Sequence, residues 1–148
     1  MAIENSKKNV TFISGDKTND NVVTQMATNF AKRGYVVASI DYRLGQAINM
    51  ALDSSYAIDV VLKAISDGKS AIRFFRKDAA TTNTYRINPN FILGGGNSAG
   101  SVLFAHVIYI DSLGELTPSL QTTINNNGGL EGNSGNDGYS SELQGLVN

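Results

Sequence analysis

Apolar positions divide the chain into short runs that do not alternate and longer stretches that repeat at helical spacing. Residues 10–13 form the first run, closed by the turn-forming Ser14-Gly15-Asp16. Val23, Met26, Ala27 and Phe30 then recur on one helical face, with Asn19 or Asp20 available as its cap. Lys32 and Arg33 oppose the carbonyl end of that helix's dipole, and Gly34 is placed to terminate it. Residues 35–40 are apolar at nearly successive positions, as in a parallel strand covered on both faces, and Asp41 ends the run.

After a less regular segment, 43–53, a long helix is expected from Ser54 or Ser55 to about Lys77. Its stripe is Val61, Ala64, Ile65, Gly68, Ile72 and Phe75. Gly68 costs about 1 kcal/mol of helix propensity, and it marks either close packing of the helix on a sheet, which would offset that cost, or a kink. A polar connection, 78–90, leads past Pro89 to a third strand at 91–95, followed by Gly96-Asn97-Ser98-Ala99-Gly100 and an apolar helix over 102–110. This order predicts a three-layer α/β unit with a partial parallel sheet and right-handed crossovers. Beyond Leu120 the pattern dissolves, and residues 125–138 are almost wholly Asn, Gly, Ser and acidic. The structured core is therefore expected over 12–120, and 121–148 is expected to be a Gly/Asn-rich tail without a strand. Uncovered sheet edges would then offer a route to self-association.

Composition narrows the function classes. A length of 148 residues suits one domain. With a net charge of -1 there is no general electrostatic reason to bind nucleic acid or an acidic membrane. No apolar run is long enough to span a bilayer, and residues 1–11 lack the apolar centre of a signal peptide. The absence of cysteine excludes disulfides, an active-site thiol and cysteine-containing metal sites, while leaving the compartment open. One histidine and no metal-ligand spacing point to no metal and no cofactor.

The candidate chemistry sits at residues 96–100. Strand, Gly-x-Ser-x-Gly, then helix is the nucleophile-elbow arrangement, in which a serine on a sharp turn needs small neighbours two residues to either side. Ser98 is the candidate nucleophile, and the Ala99 N–H is a candidate oxyanion donor at the positive end of the following helix. Two other readings stay open: Ser98 as a structural helix cap, and the glycine-rich turn as a phosphate or cofactor loop. Gly94-x-Gly96-x-x-Ala99 fits a dinucleotide fingerprint, although the acidic Glu115 has no strand before it.

Four segments in this order resemble the carboxylesterase and lipase-like branch of the α/β-hydrolase superfamily. They are Phe12-Ile13-Ser14-Gly15, Asp41-Tyr42-Arg43-Leu44-Gly45, Asp67-Gly68-Lys69-Ser70-Ala71-Ile72-Arg73-Phe74-Phe75 with Ile87-Asn88-Pro89-Asn90, and Gly95-Gly96-Asn97-Ser98-Ala99-Gly100. The resemblance implies an α/β-hydrolase core acting on small carboxylic esters through serine attack and an acyl-enzyme. It also shows what does not fit. His106, the sole histidine, follows Ser98 by eight residues in the same helix, a rise of about 12 Å, whereas proton transfer needs about 3 Å. Asp111 lies at the end of that helix, and Asp137 lies in the expected tail. Where such hydrolases carry a His-Gly-Gly-type oxyanion loop, this chain has Lys8, Asn9 and Val10. The chain is thus expected to be a fragment of a longer serine esterase, inactive alone. The alternative is a non-catalytic α/β module that binds an anion, nucleotide or protein partner through the glycine-rich turn. Arg43 is expected to pair with a neighbouring carboxylate, Asp41 to be architectural, and Tyr42 either to pack or to line a pocket.

Overall fold

The computed structural model describes residues 8–14 and 21–147, with side chains over 22–147. Four parallel strands make one sheet in the order β2-β1-β3-β4, where β1 is Lys8–Ser14, β2 Val36–Ile40, β3 Ile87–Gly96 and β4 Gly145–Val147. Helix α1 (Asn21–Lys32) joins β1 to β2. Helices α2 (Ala47–Leu52) and α3 (Ser54–Ala80) lie between β2 and β3, and α4 (Ala99–Tyr109) and α5 (Pro118–Asn126) lie between β3 and β4. The first connection steps one way along the sheet and the second steps back past β1. Right-handed crossovers therefore put α1 and α3 on opposite faces, giving the expected three layers.

Local chemistry explains most element boundaries. Asp53 caps α3 by accepting from the Ser55 and Tyr56 amides at 2.8 and 3.2 Å. Gly34 leaves α1 with φ +88°. Positions 19 and 20, the expected caps of α1, lie outside the described residues. Helix α2 was not expected, and it buries none of its residues, so it leaves no periodic apolar stripe to read. Strand β3 begins at Ile87, upstream of the predicted start at Phe91. The β1 pairing jumps from Ile87 to Ile92 while β1 itself moves only from Lys8 to Val10. Pro89 sits in that irregular stretch, where the ladder asks nothing of its missing N–H.

Ile72, Ile87, Ile92 and Phe104 are fully buried at the centre of the core, with Ala64, Ile65, Leu103 and Val107 around them. A Cβ on Gly68 would lie 2.9 Å from Leu103 Cδ2. The glycine thus permits close approach of α3 to α4; the expected partner, the sheet, is replaced by a helix.

The expectation of a loose tail after Leu120 does not hold. Residues 118–126 form α5, and β4 pairs with β3 through Leu93↔Gly145, Gly94↔Leu146 and Gly95↔Val147. Between them, residues 127–141 lie along a polar stripe of α3. Lys69 Nζ donates to the Leu130 carbonyl at 2.6 Å, Ser70 Oγ to the Ser134 carbonyl at 2.9 Å, and Arg73 to the Gly135 and Glu131 carbonyls at 2.8 Å. The glycines that suggested disorder shape this loop instead. Gly132 has φ +71°, and a side chain there would collide with Ser66.

Candidate active site

Strands β1 and β3 are neighbours whose outgoing connections run in opposite directions along the sheet. The crevice beyond their C-terminal ends is therefore a topological switch point, the usual ligand position in open α/β sheets. Ser14 and Gly96 pair at that edge, and Ser98 follows immediately. Its backbone has φ 53° and ψ -117°, a conformation that non-glycine residues rarely adopt. The surroundings hold it there. A Cβ on Gly96 would lie 2.5 Å from the Gly100 carbonyl carbon, so the two glycines pass at a distance that side chains would prevent. The Gly100 amide donates to the Asn97 carbonyl at 3.0 Å, and Ser101 Oγ donates to the Gly96 carbonyl at 2.6 Å.

Ser98 occupies the N-cap position of α4 but makes no side-chain capping bond, and the residue is exposed. A capping role therefore does not account for it. Ala99 begins α4, so its N–H is among those lacking an intrahelical acceptor, at the positive end of the helix dipole. Together the two can present a hydroxyl and a donor to one reacting carbonyl. Gly94, the first glycine of the dinucleotide-like spacing, serves packing: a Cβ there would lie 2.6 Å from Phe104 and 2.7 Å from Leu143.

Among the described residues, no histidine or carboxylate is hydrogen-bonded to Ser98. The His106 Nδ1 lies 2.7 Å from the Val102 carbonyl one turn back, which occupies that nitrogen in the helix itself. Asp111 and Asp137 are both exposed, on the segments after α4 and after α5. No group of three potential ligands that could hold a metal ion occurs among the described residues. Lys8 and Val10, at positions matching the oxyanion loop, belong to β1 and pair with Ile87, Ile92 and Val36. That stretch of backbone is part of the sheet ladder.

The segment after β2 frames the site. Arg43 meets Asp67 side-on, with Nε 2.9 Å from Oδ2 and Nη2 2.9 Å from Oδ1, while the Arg43 amide also donates to Oδ2 at 2.9 Å. Burial alone would raise the Asp67 pKa, but hydrogen bonds from Arg43 and Ser134 outweigh it and hold the carboxyl below its ordinary range. Asp41 is exposed at the end of β2. Tyr42 lines a cavity of about 390 Å³ whose wall also includes Leu44, Val60, Val61, Ala99 and Val102. Burial raises the Tyr42 pKa. Sequence reading missed Ser66, Glu131 and Ser134, which secure the loop over α3. The available signal was the helical spacing of Ser66, Lys69, Ser70 and Arg73, a stripe of polar residues at the period of a buried face.

The sequence profile of BD-FAE, an α/β-hydrolase-like esterase family, matches residues 10–136. The chain belongs to the BD-FAE family. No curated protein matches the sequence. Among solved structures, this BD-FAE chain is similar to an esterase from the planctomycete Thermogutta terrifontis, solved with propionate bound. The identity is 25% and the TM-score 0.59, over 95% of this chain and 42% of that one. The apo form of Thermogutta terrifontis esterase 2 gives a TM-score of 0.61 at 24% identity, over 95% and 42% of the two chains. The same esterase phosphorylated by paraoxon gives 0.61 at 24% identity, over 95% and 44%. The fold is thus that of the α/β-hydrolase esterases, and the BD-FAE chain spans 42% of the length of the first of them.

Proposed function

We propose that this BD-FAE chain carries the nucleophile part of a carboxylic ester hydrolase, with Ser98 as the nucleophile and the Ala99 N–H as one oxyanion donor. The conformation of Ser98 carries the reading: a strained, exposed, uncapped serine at the switch point, directly before a helix N-terminus. In the reaction, Ser98 Oγ attacks the ester carbonyl and the developing oxyanion meets the Ala99 amide. The alcohol then departs, leaving an acyl group on Ser98 that water removes. Small carboxylic esters are the substrate class. The organophosphate adduct of the related Thermogutta terrifontis esterase supports serine chemistry in this fold.

Both proton transfers need a base within hydrogen-bond reach of Ser98, and His106 is committed to the α4 backbone. Among the described residues no such base meets Ser98, so the chain alone is expected to hold the nucleophile unactivated, and full turnover to depend on a base supplied to it. The non-catalytic alternative draws no support from the turn, since Gly94 is filled in by Phe104 and Leu143.

The test is prolonged reaction with excess fluorophosphonate in imidazole buffer, which supplies an external base, followed by peptide mapping, alongside hydrolysis of p-nitrophenyl acetate without imidazole. Modification is expected at Ser98 ahead of the other serines and is absent in Ser98→Ala, while the two proteins hydrolyse the ester at the same background rate. Indiscriminate or absent labelling at Ser98 would overturn the nucleophile assignment. Fast hydrolysis abolished by Ser98→Ala would overturn the inactivity of the isolated chain.

A further inference from the structure

The two edges of the sheet are not alike. At one, β4 has only three residues, which leaves little backbone to pair. At the other, β2 has five, Val36-Val37-Ala38-Ser39-Ile40, with no charge and no proline. Its register with β1 runs through all five positions without a bulge. Helix α1 covers one face of β2 and the core borders the other. Among the described residues, 36–40 hydrogen-bond only to β1. Alternate residues of a strand turn their N–H and C=O groups to opposite sides, so the outer side of β2 carries peptide groups that no strand of this chain meets. A regular, uncharged edge of this kind is a template for another strand.

The strand is complementary to itself. A second copy running antiparallel about a two-fold axis at Ala38 overlaps β2 completely, with Val36 facing Ile40 and Val37 facing Ser39. Val36, Ala38 and Ile40 pack against the core within one chain, so the apolar layer continues across the join. The ends match in charge as well. Tyr35 stands on the α1 face, its ring centroid 5.4 Å from that of Phe30, and alternation puts Asp41 on the same face. In this register Asp41 of one copy arrives opposite Tyr35 of the other, beside the end of α1, where Lys32 and Arg33 are exposed. A parallel, in-register pairing would set the basic ends together and the acidic ends together.

We propose that β2 is the contact strand of a two-fold homodimer, in which the four-stranded sheets of two copies join into one continuous sheet. The joined strands run in opposite directions. The two Ser98 turns, each at the C-terminal end of its own strands, therefore lie at opposite ends of the joined sheet, and neither copy supplies the other's missing base. Dimer formation and the reactivity of Ser98 are thus independent of one another.

Sedimentation of the full chain over the micromolar range tests this, with amide hydrogen exchange at the low and high limits. A monomer–dimer equilibrium is expected, and with rising concentration amide protection is expected to increase within 36–40 and not within 145–147. Asp41→Lys sets like charges together at both ends of the join and is expected to weaken the dimer about tenfold. The pair Lys32→Asp and Arg33→Asp is expected to do the same, and all three changes in one chain are expected to restore the dimer. The three positions are exposed, so circular dichroism is expected to show the fold intact in each variant. Concentration-dependent exchange of the wild-type chain needs no variant and locates the contact by itself. A monomer throughout would overturn the proposal. So would a dimer whose protection rises at β4 or around the exposed Leu44, Ile48 and Leu52 in place of β2. A dimer that the charge reversals leave unchanged, or that the triple variant fails to restore, would overturn it as well.

Discussion

The turn at Ser98 and the seam between α3 and residues 127–141 are held in opposite ways. At the seam, long polar side chains are buried and satisfied: Arg73 is 1% exposed and Lys69 4%, and each bonds to main-chain carbonyls. At the turn, the key side chain is exposed and unpartnered, and the backbone carries the strain. Glycines serve both places, by letting Gly96 approach Gly100 and by letting the loop at Gly132 lie on Ser66. For Ser98 as the proposed nucleophile, a polar atom left free of structure means that rigidity comes from its neighbours.

Acid should separate the two regions most strongly. Burial alone would raise the pKa values of Asp67 and Glu131, but hydrogen bonds from Arg43 and Ser134 to Asp67, and from Ser141 and Arg73 to Glu131, outweigh it and lower both. Their contribution is complete above the unfolded-state values, about 4, and is lost as pH falls through the lower folded-state values. The turn has no such group. Urea unfolding is expected to weaken below about pH 4, with amide exchange rising first over residues 128–136; a flat profile would remove this distinction.

Arg73→Met should come next. It leaves the Glu131 and Gly135 carbonyls without their donor and is expected to cost about 3 kcal/mol in urea unfolding. Gly132→Ala meets both a positive φ and the Ser66 side chain, and about 2 kcal/mol of destabilisation is expected by the same measurement. Ser98→Gly should have the opposite sign, a gain of about 1 kcal/mol, because glycine accepts this backbone without strain. A loss in that variant would mean that the hydroxyl supports the fold, and the contrast with the seam would fail.

Much of the fold was legible because its signals are local. The β2 run, the α3 stripe and the Ser98 turn each depend on residues within a few positions of one another. The misses have equally specific reasons. Helix α2 buries nothing, so it has no periodicity. The β3 start was obscured by Pro89, which reads as a strand boundary but sits in an irregular stretch of the ladder. The loop after α5 looked disordered by composition, yet its carbonyls find donors on α3, and a hydrophobicity pattern cannot see a donor meeting a backbone acceptor.

The candidate site divides along the same line. Glycines at 96 and 100 around Ser98 follow from crowding in one turn, and helical rise alone separates His106 from Ser98. What lies beside the serine depended on topology. Tyr42 and Val60 reach the same cavity as Ala99 only because α3 and α4 pack together on the sheet. Asp67 as the partner of Arg43 lies 24 positions away, and Gly135 as the partner of Arg73 lies 62 away. The sequence by itself determined the turn and its local elements, since those rest on steric limits between near neighbours. Only the tertiary structure decided the walls and anchors around them, because contacts between distant positions exist only after the crossovers have brought those positions together.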